Sequence, residues 1–208
     1  NIGYNKETKS PIYDYNKCFE IFSSVADYIT INVSSPNTPG LRKLQFKSNL
    51  EPLLKSISKK RNIYYNKTKR HIPLALKISP DLTQLDLKNI VGLSLKYKIE
   101  GIIATNTSIN KKLINIEMYS KIDGGISGEA LFKYSNNTLK KIVKISKGKI
   151  QIIGVGGINN SEKILKKISL GANAVQLYSS LVYNGLNIVD KMIIDLINLS
   201  NNSEKKHK

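Results

Sequence analysis

Apolar residues follow two rhythms along this chain. Short β-branched runs at 28–33, 73–78, 101–105, 151–155 and 173–178 each stop at Asn, Ser, Gly or Pro. Short, largely apolar runs of that length predict strands buried on both faces. Between them, at 13–23, 50–60, 84–97, 134–146, 161–170 and 186–199, apolar positions recur every three or four residues, which predicts amphipathic helices. Asp81 or Thr83 can cap the third helix, Ser161-Glu162 opens the fifth, and Gly171 closes it. Strand followed by helix, repeated in this way, implies a parallel sheet with right-handed crossovers.

Polar residues and glycines gather where every strand ends: 32–37, 77–81, 105–107, 154–157 and 178–180. A doubly wound sheet would concentrate them at one switch point. A (β/α)8 TIM barrel opens all of its strand ends on one catalytic face. The predicted fold is therefore α/β, a TIM barrel. A full barrel takes about 250 residues, so these 208 residues are expected to supply roughly the last five strands and their helices, starting near the end of a third strand at Asn1-Ile-Gly3. The barrel domain is placed at 1–199, and 200–208 reads as a frayed polar tail.

Composition narrows the chemistry. The chain is 40% hydrophobic and has no apolar run of the 18 or so residues that cross a bilayer. A single cysteine, Cys18, excludes an internal disulfide framework, and two histidines, His71 and His207, exclude a His-rich metal site. Cys18 lies in a helical stretch and reads as a small core hydrophobe; no metal ligands are assigned. The formal charge is +18, which invites a nucleic-acid or membrane surface. Yet only 3 of the 33 basic residues are Arg, beside 30 Lys, 30 Ile and 22 Asn. That trio fits an AT-rich coding sequence written onto a tolerant surface, and base-reading proteins lean on Arg and aromatic platforms. No nucleic-acid partner is expected.

Four groups of residues carry candidate chemistry. Asn32-Val-Ser-Ser-Pro-Asn-Thr-Pro-Gly-Leu-Arg42 packs amides and hydroxyls onto one strand end. As a turn it needs no further role. As a site, Asn32 and Asn37 present amides to a flat polar substrate and Ser35 serves as a base, provided a relay and a dry surround assist it. Lys77 interrupts an apolar strand, where an unpaired cation is costly. It either reaches Asp81 or faces negative charge on a ligand. Thr105-Asn106-Thr107 adds a third amide. Gly124-Gly-Ile-Ser-Gly128, Gly154-Val-Gly-Gly157 and Tyr178-Ser179 follow in order, and the last two come after the final two strands, where barrels bind phosphate.

These segments, together with Lys77-Ile-Ser-Pro-Asp-Leu82 and Gln176-Leu-Tyr178, resemble the dihydroorotate dehydrogenase family in identity and order over nearly the whole chain. Serine at 35, where soluble class 1 members carry cysteine, resembles the quinone-reducing, membrane-associated class 2 type. The resemblance implies an FMN enzyme that oxidises dihydroorotate to orotate in pyrimidine biosynthesis and passes electrons to a quinone, in eukaryotes at the mitochondrial inner membrane. It implies Ser35 as the base that removes the C5 proton while a hydride passes from C6 to flavin N5. Asn32, Asn37, Asn106 and Thr107 match substrate contacts. Asn1, Asn32, Lys77, Thr105, Gly128, Gly157, Tyr178 and Ser179 match FMN contacts, with Lys77 at the N1 edge and the last four at the phosphate.

The family's first strands, a further substrate lysine and the quinone-tunnel helices have no counterpart in these 208 residues, so little or no turnover is expected of this chain alone. Two other readings stand beside this one. A tRNA dihydrouridine synthase is another FMN barrel, but it would need a strand-end cysteine. A basic, non-enzymatic nucleic-acid-binding fragment would use only the charged surface.

Overall fold

In the computed structural model, which describes residues 1–5, 7–8, 10–114 and 123–205 (202–205 in backbone only), the predicted alternation is present. Five parallel strands, β1 (Ile29–Asn32), β2 (Leu74–Ile78), β3 (Gly101–Ala104), β4 (Gln151–Val155) and β5 (Ala174–Gln176), lie side by side in chain order. Ile2 adds a parallel bridge to Ile31 on the β1 edge. Helices α1 (Pro11–Phe22), α2 (Lys47–Thr68), α3 (Gln84–Lys96), α4 (Phe132–Ser146), α5 (Ser161–Ser169), α6 (Ser179–Asn184) and α7 (Ile188–Lys205) complete the chain. The sheet curls far enough that Gln176 Nε2, at the end of β5, donates to Tyr28 Oη just before β1, at 3.2 Å.

Alternation along each strand separates two environments. Leu74, Leu76 and Ile78 point outward and pack with Ile29, Ile31, Ile102, Ile152 and the helices in the main core. Ala75, Ile103, Val155 and Ile153 form a small separate cluster. Lys77 lies two residues beyond Ala75 on that same inner face, and its register partner on β1 is Asn32. The side chains that end the inner face of the strands therefore open on the mouth of the barrel.

Several element bounds differ from the sequence expectation. Helix α2 runs to Thr68 because Arg61 is buried on its inner face, where it pairs with Glu100 and donates to the Lys98 carbonyl. Helix α6 was not expected, and α7 continues through Lys205 where a frayed tail had been placed from 200; residues 206–208 lie outside the described residues. Thr83, not Asp81, caps α3, in a reciprocal pair with Asp86. Cys18 is half-buried against the core, and burial pushes its thiol pKa up. Among the described residues no helix is long and apolar enough to cross a membrane.

Candidate active site

Ser35 and the residues matched to substrate and FMN contacts all line one cavity of about 740 Å³ at the C-terminal face of the sheet. Asn1, Asn32, Ser35, Asn37, Lys77, Thr105, Asn106 and Thr107 form one end, and Gly128, Gly157, Tyr178 and Ser179 the other. The volume falls within the range of cofactor sites.

The first end is a hydrogen-bonded lattice. Asn32 Oδ1 accepts from the Ser34 N–H at 3.2 Å and from Asn106 Nδ2 at 3.4 Å. Asn106 Nδ2 also donates to Ser34 Oγ at 3.1 Å, and its Oδ1 accepts from the Thr107 N–H at 2.8 Å. Asn106 thereby engages both ends of its amide within the protein and links the β1 and β3 loops, while it also borders the cavity. Asn32 commits its oxygen and leaves Nδ2 as a donor at the cavity. Ser34 Oγ bonds the Lys77 carbonyl at 2.7 Å, which joins the β1 loop to β2. Ser35 Oγ accepts from the Asn37 N–H at 3.3 Å.

Lys77 does not reach Asp81. Among the described residues no side chain bonds its ammonium group, and burial pulls its pKa below the ordinary lysine value. Asp81 pairs instead with Arg42 at 2.6 Å. In the sequence Arg42 stands only as the end of the 32–42 segment. It also donates from Nε to the Ser34 carbonyl at 3.1 Å and from Nη2 to the Thr107 carbonyl at 2.7 Å. Asp81 accepts further bonds from Ser79, Ser108 and the Ile109 N–H. Burial alone would raise its carboxyl pKa. The bonds from Ser108, Ile109 and Arg42, and the charge of Arg42, outweigh burial and hold it below the usual carboxylate range.

The glycines divide between the two ends. Gly125 packs on Thr107 and Pro36, and Gly124 lies beside Asn37, so this pair covers the amide end and not the phosphate end where its motif had been grouped. Gly128 faces Ser179, and Ser179 Oγ donates to Ser127 Oγ at 3.0 Å. Gly157 has φ +73°, and a Cβ there would stand 2.6 Å from Phe132 Cβ and 2.8 Å from its backbone nitrogen. Only glycine lets this turn lie flat on the start of α4. A backbone cradle at one end and an unpaired ammonium at the other suit a ligand with an anionic tail and an electron-accepting ring. The residues present thus fit FMN. Among the described residues no cluster of three His, Cys, Asp or Glu side chains could hold a metal ion.

A family model described as dihydroorotate dehydrogenase matches residues 1–199. The chain belongs to the dihydroorotate dehydrogenase family. It is 44% identical over 198 residues to a dihydroorotate dehydrogenase (quinone) from Buchnera aphidicola, covering 94% of this chain and 59% of that protein. A namesake from Bartonella tribocorum is 40% identical over 199 residues, covering 96% of this chain and 55% of that one. A crystal structure of DHODH from Eimeria tenella in complex with ferulenol superposes with a TM-score of 0.89 at 29% identity, over 97% of this chain and 57% of that one. The five-stranded sheet is accordingly part of a TIM barrel, and the chain spans under three fifths of the length of those relatives.

Proposed function

We propose that this chain carries the catalytic face of an FMN-dependent dihydroorotate dehydrogenase, in which dihydroorotate is oxidised to orotate and a quinone is the final acceptor. The observation that carries this reading is the single cavity with amides and a serine at one end, a half-buried unpaired ammonium between β1 and β3, and a glycine cradle at the other end.

In this reading Asn32, Asn37 and Thr107 grip the planar acid of dihydroorotate. Asn106 holds the loops that present them, and so acts through its neighbours. Ser35 Oγ takes the C5 proton while its own hydroxyl proton passes to a water relay, and the Asn37 N–H donating to Oγ holds the hydroxyl in position. When bound, FMN supplies the acceptor for the hydride that leaves C6. Lys77 would hold the ring end of FMN, where its charge would stabilise added electron density, Asn1 and Thr105 would border the ring, and Gly128, Gly157, Tyr178 and Ser179 would hold the phosphate.

Turnover belongs to the completed barrel, which would supply the remaining strands and the route for the quinone. Quinone exchange implies association with a membrane. The mitochondrial inner membrane expected from eukaryotic relatives gains no support from the curated relatives named above, which are bacterial.

The test is flavin binding followed by dihydroorotate-dependent quinone reduction in the full-length protein carrying this chain. Bound FMN and orotate formation are expected. Absence of flavin binding, or flavin that dihydroorotate leaves oxidised, would refute the reading.

A further inference from the structure

Lys167 is a charge without a counter-charge. It is fully buried on α5, beneath the end of β4. Its Nζ donates to Asn136 Oδ1 at 2.8 Å, Ser135 Oγ at 2.9 Å and the Val155 carbonyl at 3.2 Å, all neutral acceptors. It also lies 5.3 Å from the centre of the Phe132 ring. Lys163 stands at the same distance from that ring, but Glu129 pairs with it at 2.7 Å. Among the described residues no carboxylate pairs with Lys167. A buried ammonium held only by dipoles and a ring face is expensive, and burial already pulls its pKa down to about 8.

Its neighbours build the floor of the glycine cradle. Ser135 Oγ, which accepts from Lys167 Nζ, donates in turn to the Gly156 carbonyl at 3.2 Å. Gly157 rests against the backbone of Phe132, whose ring Lys167 touches. Val155, which accepts from Lys167, lines the cavity itself. The ammonium is therefore one hydrogen-bonded step below the turn, facing the same end of the cavity from the dry side.

We propose that Lys167 is a buried counter-charge for the ligand's phosphate, and that it makes the site select FMN over riboflavin without touching either. The inference rests on the flavin reading of the cavity. Lys77 and Lys167 then act on different parts of one ligand, the first on the ring and the second on the tail. In a water-poor interior a single charge reaches across several ångströms with useful strength.

The test is a pair of titrations, FMN and riboflavin, on the flavin-free full-length protein, its Lys167→Met variant and its Lys167→Gln variant, read by quenching of flavin fluorescence. Methionine fills the slot beside Leu139 and Ala172 without charge, and a hydrophobe in place of a buried ion often preserves stability. Glutamine keeps a donor for Asn136 and so separates charge from hydrogen bonding. Both variants are expected to lose roughly tenfold or more in FMN affinity while riboflavin affinity stays within about twofold. Equal losses for the two flavins, no loss for FMN, or failure of both variants to fold would each make Lys167 a structural residue and overturn the proposal. Should the unaltered protein bind neither flavin, the flavin reading itself falls, a result separate from any effect of the substitutions.

Discussion

Arg42 and Asp81, 39 residues apart, form a 2.6 Å ion pair with side chains 19% and 17% exposed, and around it three strand-end loops are knotted. The guanidinium spends one nitrogen on the Ser34 carbonyl, one on Asp81 and one on the Thr107 carbonyl. The β1, β2 and β3 loops therefore cannot shift independently, and the cavity end that holds Ser35 and Asn37 inherits its shape from this fork.

Lysine cannot reproduce a three-way planar fork. Arg42→Lys should therefore leave the protein folded but raise KM for dihydroorotate by about tenfold or more, with a smaller change in flavin affinity. A double-mutant cycle of Arg42→Ala and Asp81→Ala, measured by chemical denaturation, should give a coupling of about 1–3 kcal/mol. Additive effects would mean that the two side chains act separately.

Ser35→Ala removes the proposed base and none of the phosphate cradle. Flavin content should stay near that of the unaltered protein while turnover drops by about 10²–10⁴-fold. Anaerobic single-turnover mixing separates this outcome from a loss of substrate binding.

Lys77→Met deletes the one cation on the inner face of β2. Because that ammonium has no partner among the described residues, thermal stability should hold or rise, whereas the flavin potential should move to more negative values. An unchanged potential would leave Lys77 a structural lysine.

Gly157→Ala drives a methyl group into the backbone of Phe132 at a positive φ. The expected cost is about 2–4 kcal/mol, with FMN retention lost before riboflavin retention. A calorimetric melt and a flavin titration check the two parts.

Stability should also depend on pH in a stated direction. Burial lowers the Lys167 pKa from 10.5 to about 8, so between these values the unfolded chain binds more protons than the folded one. The Lys167 contribution is therefore complete above 10.5 and is lost as pH falls through 8. Lys77 acts with the same sign. The buried Tyr15 phenol, raised by burial, opposes them at the alkaline end. Denaturation midpoints should climb from neutral pH to about pH 9.5, and Lys167→Met should flatten the climb.

The strands were readable because a buried parallel strand must be largely apolar over its few residues and then stop, and here a residue at or just past each strand end, Asn32, Lys77, Thr105, Gly156 and Tyr178, borders the cavity. The convergence of those strand ends was readable for the same reason. Other features left no local trace. The last turns of α2 are held by buried Arg61, and charge on an inner face hides a helical stripe. Helix α6 has 6 residues, too few to show a period. Arg42 and Asp81 meet only after folding. Lys167 looks like any of 30 lysines until its burial is seen. Asn106 was legible as a strand-end amide, but not as one already saturated by its neighbours.

The proposed reaction requires one cavity to bring a base and an electron-accepting ring to the same substrate. Rapid anaerobic mixing of the flavin-loaded, full-length protein with dihydroorotate, followed at the flavin absorption band, tests this most directly. Rapid bleaching in the unaltered protein and slow bleaching in Ser35→Ala are the predicted result. A band that stays unbleached, or that bleaches equally fast in both proteins, would contradict the account.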